Sequence, residues 1–326
     1  MYAAIHDTFG EPAEVLTPRE IETPTPAEGE ALIRMVLSPI HNHDLWTIRG
    51  NYGYKPELPG AIGGSEALGI VEAVGAGVDA DLVGKRVVAA GVHGTWAAYF
   101  TADAATLLPL PDAIPDEAGA QLVSMPFSAL SLLETLKVGK GDWLIQTAAN
   151  GAVGKIMAGL AKARGIHLLN LVRREEAAEE LRAAGIDNVL STSDADWMSK
   201  ARALIGKAGA VSAIDSVGGE LAGDLVQLLG IDGELVVFGT ATGQPLSMSS
   251  GDLIMKHITV KGFWGSRVSK EMAPETRFRL IGELVGLAAQ GQLPLDTGGT
   301  YPLAEAAEAM KAALTPGRGG KIMLRP

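Results

Sequence analysis

Apolar residues in the first 112 positions come in short runs, MYAAIHD, ALIRMVLSPI, EALGIVEAVG and GKRVVAAG, separated by Gly, Pro and Asp. Runs of this length between turn-forming residues predict strands joined by tight turns. A short polar helix is predicted at Asn42–Arg49, ended by Gly50. From about residue 115 the texture changes. Apolar strands at Trp143–Thr147, His167–Val172, Ala210–Asp215 and Glu234–Gly239 alternate with helical stretches at 153–164, 175–184, 197–206 and 218–229. That alternation predicts a parallel sheet with helices on both faces. Two more helices, near 271–290 and 303–314, precede a last strand at Lys321–Leu324. The pattern predicts an α/β chain in which a β-rich domain, residues 1–112, is completed by the tail 270–326. A doubly wound parallel-sheet domain, 113–269, is inserted between them.

Composition narrows the chemistry. At 326 residues, 47% hydrophobic and 20% charged, the chain can bury two cores and is too apolar to be disordered. The net charge of −11 argues against a nucleic-acid partner, which would need a basic field. There is no cysteine, which removes disulfides, thiolate catalysis and any Cys-ligated metal. The start MYAAIHDTFG has no basic, apolar signal pattern, and no apolar run reaches bilayer length. A cytoplasmic protein with a small-molecule substrate and no membrane partner is the expectation.

The strand at Trp143–Thr147 runs straight into a glycine turn and then a helix, which aims free backbone N–H groups and a helix dipole at a pyrophosphate. The pattern is Ala148-x-x-Gly151-x-x-Gly154, with alanine in place of the first glycine of G-x-G-x-x-G. Asn150, Gly151, Ala152, Val153 and Gly154 are the candidate cradle; the plain alternative is an ordinary strand–helix turn. The next strand ends Val172-Arg173-Arg174. A site for NAD places Asp or Glu here, whereas two arginines offer a fork for the 2′-phosphate of NADPH. Otherwise they are solvated loop residues. Glu175 and Glu176 suit the first turn of the following helix.

Further motifs carry a resemblance. Ile48-Arg-Gly-Asn-Tyr52-Gly-Tyr-Lys-Pro, Gly63-Gly-Ser-Glu66, Gly69-Ile-Val-Glu-Ala-Val-Gly75, Ser216-Val-Gly-Gly219 and Lys261-Gly-Phe-Trp264-Gly-Ser join the loop Asn150–Gly154. Together they resemble the medium-chain dehydrogenase/reductase superfamily, most of all its 2-enoyl thioester reductases and neighbouring quinone reductases. The resemblance spans nearly the whole chain. It implies a GroES-like β-rich catalytic domain joined to a Rossmann domain, NADPH as cofactor, and a homodimer.

The resemblance also assigns residues. Tyr52 matches the family tyrosine that supplies a proton or strong hydrogen bond to the reduced double bond. A phenol ordinarily titrates near pH 10 and so carries its proton at neutral pH; Tyr54 is the second candidate. Gly239, Thr240, Phe263, Trp264 and Lys321 correspond to cofactor contacts, and Trp264, His41 and Met125 border the substrate pocket. Read without the resemblance, the aromatics are core residues and Lys321 is solvated. Zinc-dependent relatives carry Gly-His-Glu where this chain has Gly64-Ser65-Glu66, and a cysteine near the position of His41. His41 and His43, two apart, would point roughly 200° apart on a helix, with no third ligand spaced nearby. No metal is expected. The enoyl reductases carry Asn-Pro where His41 and Asn42 stand. His6, His93 and His257 show no partner in sequence. Reduction of an enoyl thioester is the first reading, a quinone or enone acceptor the alternative, and a non-catalytic NADPH-binding protein the third.

Overall fold

The computed structural model describes residues 1–315 and 319–326. The chain divides into two compact units: Met1–Met125 with Glu283–Pro326, and Pro126–Gly282. Among the described residues no helix is long and apolar enough to cross a membrane.

In the first unit the strand Glu30–Pro39, buried along most of its length, is the central element. It pairs antiparallel with Glu66–Val74, with Tyr99–Asp103 and with Lys321–Arg325, and Thr297–Pro302 adds a parallel strand beyond the last of these. A three-stranded sheet of Thr17–Glu20, Tyr2–His6 and Ala61–Ile62 lies in the same unit. This is the GroES-like fold. Trp96 has no exposed surface and lies under the turn that leads into Glu66–Val74. A Cβ on Gly63 would stand 2.2 Å from the Trp96 ring, and Gly64 has φ +91°, so both positions require glycine. The indole fixes the Gly63-Gly64-Ser65-Glu66 turn.

The second unit is a Rossmann domain. Its sheet comprises, in chain order, Trp143–Gln146, His167–Val172, Val189–Ser191, Ala210–Asp215, Leu229–Val237 and Thr259–Gly262. Numbered in that sequence, the strands lie side by side as third, second, first, fourth, fifth, sixth, all parallel. His167–Val172 is buried at every position after His167, as a strand covered on both faces must be. Helix Ala152–Ala163 buries Ile156, Met157, Leu160 and Ala161, a single stripe at helical spacing. Glu175 and Glu176 do occupy the first turn of helix Glu175–Ala183.

Several boundaries differ from the sequence reading. The division expected at 112/113 falls at 125/126, because Arg86 ties the intervening segment to the first unit. Its guanidinium donates to the carbonyls of Pro111 and Ile114 and pairs with Asp116. At the other end the division falls within helix Pro274–Ala289, not near 270. Arg277 stands 5.6 Å over the Phe127 ring and Arg279 pairs with Glu134, which holds the first half of that helix in the second unit. The helix expected at 218–229 is Leu221–Leu228, since Gly218 and Gly219 both have positive φ. Val189–Ser191 and Thr259–Gly262 were not predicted, the first being three residues long and the second an edge strand with little buried surface. Helices Ser250–Lys256 and Gly265–Glu271 were also missed.

Candidate active site

In the second unit the parallel register brings the carboxyl ends of five strands to one edge. The predicted cofactor residues of this unit all lie along it. Asn150–Gly154 follows the first strand, Arg173 and Arg174 the second, Gly239 and Thr240 the fifth, and Phe263 and Trp264 the sixth. The first and fourth strands are neighbours here, and their onward connections diverge to opposite sides. This is the switch point at which open α/β sheets hold ligands. Ala148 has φ +52°, a left-handed conformation at the site of the missing glycine. Gly154 is required: its Cβ would lie 2.6 Å from the Ala149 carbonyl, where helix and strand close together. The loop tip, Asn150 to Ala152, is exposed.

Polar groups buried beneath the loop hold it in place. Gln146 donates to the Gly154 carbonyl at 2.8 Å and to Asn170 Oδ1 at 2.7 Å. Thr147 donates to Asp215 at 3.1 Å and accepts the Ser216 amide at 2.8 Å. Asp215, fully buried, also takes the amides of Val217 and Gly218. The two loops at the switch point are thus clasped to each other. Arg173 and Arg174 are exposed, and neither guanidinium has a partner among the described residues. These residues fit a dinucleotide carrying a 2′-phosphate: free amides at a helix start, a glycine allowing close approach, and two uncommitted arginines. A cavity of about 240 Å³ lies at the opposite, amino-terminal end of the strands, against Asp142, Trp143, Val211 and Ile231.

The first unit holds a second constellation. His41 caps helix Asn42–Ile48 in extended backbone conformation. Its Nε2 lies 2.8 Å from Glu66 Oε2, and both side chains are fully buried. Glu66 Oε1 accepts the Val123 and Ser124 amides at 2.8 and 3.0 Å. Burial pushes the Glu66 carboxyl up to about 7, against those hydrogen bonds. Burial, with the Lys321 cation nearby, holds His41 well below the usual imidazole range. Both shifts favour an uncharged pair. Asp44 takes the His41 main-chain N–H at 2.9 Å and the Ser65 hydroxyl at 2.6 Å, and His43 Nε2 lies 2.7 Å from Ser65 Oγ. The rings form a ladder: His41 and His43 stack at 5.0 Å, His43 and Tyr52 at 5.7 Å. The Tyr52 hydroxyl has no hydrogen-bond partner among the described residues.

Tyr52, His41 and Lys321 therefore gather in the first unit, while the candidate dinucleotide residues line the edge of the second. Lys321 is buried beside His41, not solvated. His41 requires correction: its ring has no exposed surface and so lines no open pocket, and it stacks on His43, which in turn stacks on Tyr52. The helical-wheel spacing used for His41 and His43 does not apply, because His41 is the cap and lies outside the helix, and the two rings stack. Met125 is half-buried within helix Ser124–Thr135. Phe263 packs on Phe238 at 5.9 Å, and Trp264 is 65% exposed. Tyr54 stacks on His93 at 3.7 Å, His6 bonds the Thr8 carbonyl, and His257 pairs with Asp232. The roles of His43, Asp44, Ser65 and Glu66 escaped the sequence reading. Only the adjacency Ser65-Glu66 and the cluster 41–44 marked them.

Comparison with known proteins agrees with both halves. Residues 27–112 match the alcohol dehydrogenase GroES-like domain family and residues 152–280 the zinc-binding dehydrogenase family. The mitochondrial enoyl-[acyl-carrier-protein] reductase of Xenopus tropicalis is 32% identical over 96% of this chain and 91% of its own. The human protein of that description is 29% identical over 99% and 88%. Among solved structures, Escherichia coli quinone oxidoreductase complexed with NADPH superposes with a TM-score of 0.86 at 26% identity, covering 100% of both chains. A candidate NADPH:quinone reductase of Bacillus thuringiensis gives 0.91 at 29%, covering 100% of this chain and 98% of its own.

The buried Glu66 makes a pH-dependent prediction. Its folded pKa is raised above the unfolded value, so folding favours the protonated form. The stability it contributes is present below about pH 4.3, the ordinary carboxylate value, and is lost as pH rises through about 7. Glu66→Gln keeps an acceptor for the two amides and carries no charge. Its stability relative to the parent, measured by urea denaturation, is expected to climb steadily between pH 5 and 8. Glu66→Ala strands both amides and costs roughly 1–3 kcal/mol for each at every pH. A Gln-minus-parent difference that stays flat with pH contradicts this account.

Proposed function

The chain belongs to the medium-chain dehydrogenase/reductase superfamily, in its zinc-free branch of enoyl reductases and NADPH:quinone reductases, and we propose that it reduces a 2-enoyl thioester with NADPH. It is an NADPH-dependent oxidoreductase. The finer reading is supported by curated relatives over almost the full length that are enoyl-[acyl-carrier-protein] reductases. The observation that carries it is Tyr52, a phenol whose ring is seated on His43 and whose hydroxyl is uncommitted. Bound NADPH would supply hydride. Asn150–Gly154 hold the pyrophosphate, and Arg173 and Arg174 bind the 2′-phosphate. Gly239, Thr240, Phe263 and Trp264 line the same edge. Tyr52 donates a hydrogen bond to the thioester carbonyl and then its proton to the enolate. Stabilising charge where it develops is the main task of such a donor.

A quinone acceptor is the second reading, favoured by the likeness to the E. coli quinone oxidoreductase. A quinone needs no such acid at this position. Tyr52→Phe is expected to lower kcat/KM for crotonyl-CoA by roughly 10²–10³ while changing quinone reduction little. Equal thioester activity in variant and parent rules the mechanism out.

The cofactor assignment has its own test. Replacing Arg173 and Arg174 together by Ala removes charge-assisted hydrogen bonds of about 1.5–3 kcal/mol, so NADPH should bind roughly 10–100-fold more weakly. NADH affinity, followed by fluorescence titration, should stay the same. Parallel losses for both cofactors would assign the arginines a structural role.

We also propose that two copies pair along Thr259–Gly262. This strand ends the six-stranded sheet, and Ile231, Ile254, Met255 and Val260 are exposed on and around it. An unpaired edge flanked by apolar side chains is ordinarily covered. Light scattering should give a dimer for the parent and a monomer for Met255→Lys/Val260→Lys. A monomeric parent at micromolar concentration removes the proposal.

A further inference from the structure

We propose that His43 is the proton-relay residue for Tyr52, held in one tautomer by Ser65 and Asp44; this rests on the enoyl reductase reading above. The carboxylate of Asp44 is 4% exposed and is engaged on both oxygens. Oδ2 accepts the His41 main-chain N–H and Oδ1 the Ser65 hydroxyl. An ionised carboxylate can only accept, so the Ser65 proton is committed to it. Ser65 Oγ can then only accept from His43 Nε2, 2.7 Å away. His43 therefore carries its proton on Nε2 and leaves Nδ1 as the exchanging nitrogen. Nδ1 has no partner among the described residues, and the ring is 23% exposed, so water reaches it. The same ring lies against Tyr52, at 5.7 Å between centroids and 30° between planes.

A phenol that gives its proton to an enolate is left as phenolate and must recover a proton before the next turnover. Protonated His43 returns it from Nδ1 through one bridging water, which takes the Nδ1 proton as it gives its own to the phenolate. The N–H bond at Nδ1 breaks, the phenol O–H forms, and His43 becomes neutral while Nε2–H stays on Ser65. Solvent then reprotonates Nδ1. The net demand is one proton per hydride, with no other reactant. Because it acts through Tyr52, His43 is a positioning residue and not itself catalytic.

The test uses His43→Gln, which retains a donor for Ser65 but cannot relay, and Ser65→Ala, which leaves the ring and frees its tautomer. With crotonyl-CoA and NADPH, His43→Gln should lower kcat roughly tenfold at unchanged KM, a fraction of what a general acid contributes. Added imidazole should restore part of the loss, and in a Tyr52→Phe background the substitution should have no further effect. In ligand-free protein, the ¹⁵N spectrum of labelled histidines should show His43 as the Nε2–H form, and mixed tautomers in Ser65→Ala. An unchanged kcat, no rescue, effects that multiply with Tyr52→Phe, or an Nδ1–H parent would each overturn the relay. If Tyr52→Phe is impaired while His43→Gln is not, the relay alone falls. If Tyr52→Phe matches the parent, the enoyl reductase reading falls and takes the relay with it.

Discussion

The parallel register of the six-stranded sheet is the constraint from which the candidate dinucleotide site follows. Parallel strands need a crossover after each one, so every strand ends at the same edge and every loop starts there. Five segments far apart in sequence, from Asn150 to Trp264, reach one line for that reason. Order reverses between the first and fourth strands, and there the loops are clasped by Thr147 and Asp215. The Gln146–Asn170 pair performs the same service beneath Gly154. Buried polar groups that are fully paired make a rigid base; these leave no freedom in the cradle above them.

The first unit handles buried charge differently. Glu66 and Asp44 are both carboxylates inside the fold, and each has partners on both oxygens. Glu66, between His41 and two backbone amides, is driven towards neutrality by burial. Asp44 organises the polar side, accepting the Ser65 hydroxyl, whose oxygen lies 2.7 Å from His43 Nε2. Where zinc-dependent relatives place metal ligands, this chain has Ser65 and the buried His41, each hydrogen-bonded to Asp44. A ladder of rings, His41, His43 and Tyr52, leads from the buried pair to the phenol of Tyr52.

What was legible in the sequence was local. The strand–turn–helix at Asn150–Gly154, the arginines at the next strand end and the helices Ala152–Ala163, Glu175–Ala183 and Trp197–Ile205 depend on neighbouring residues and a 3.6-residue period. They were readable within a residue or two. Errors came where long-range contacts prevailed. Arg86 and Glu66 drew 113–125 into the first unit, and Val189–Ser191 and Thr259–Gly262 are strands only because a sheet was there to receive them. In the site, Ser65 meets Asp44 and His43 across 21 and 22 residues, and His41 meets Glu66 across 25. No spacing rule covers such pairs. The spacing of roughly 200° between His41 and His43 treated both as helical residues, whereas His41 is the cap.

By itself, then, the sequence determined the class of fold, the strand–turn–helix of the candidate cofactor cradle and the pair of arginines after the second strand, since backbone hydrogen bonding and side-chain periodicity act between near neighbours. Only the tertiary structure decided which histidine is sealed from water, which carboxylate is pushed towards neutrality and which ring supports Tyr52. Those are matters of burial and of strand register, and both are set by the whole fold.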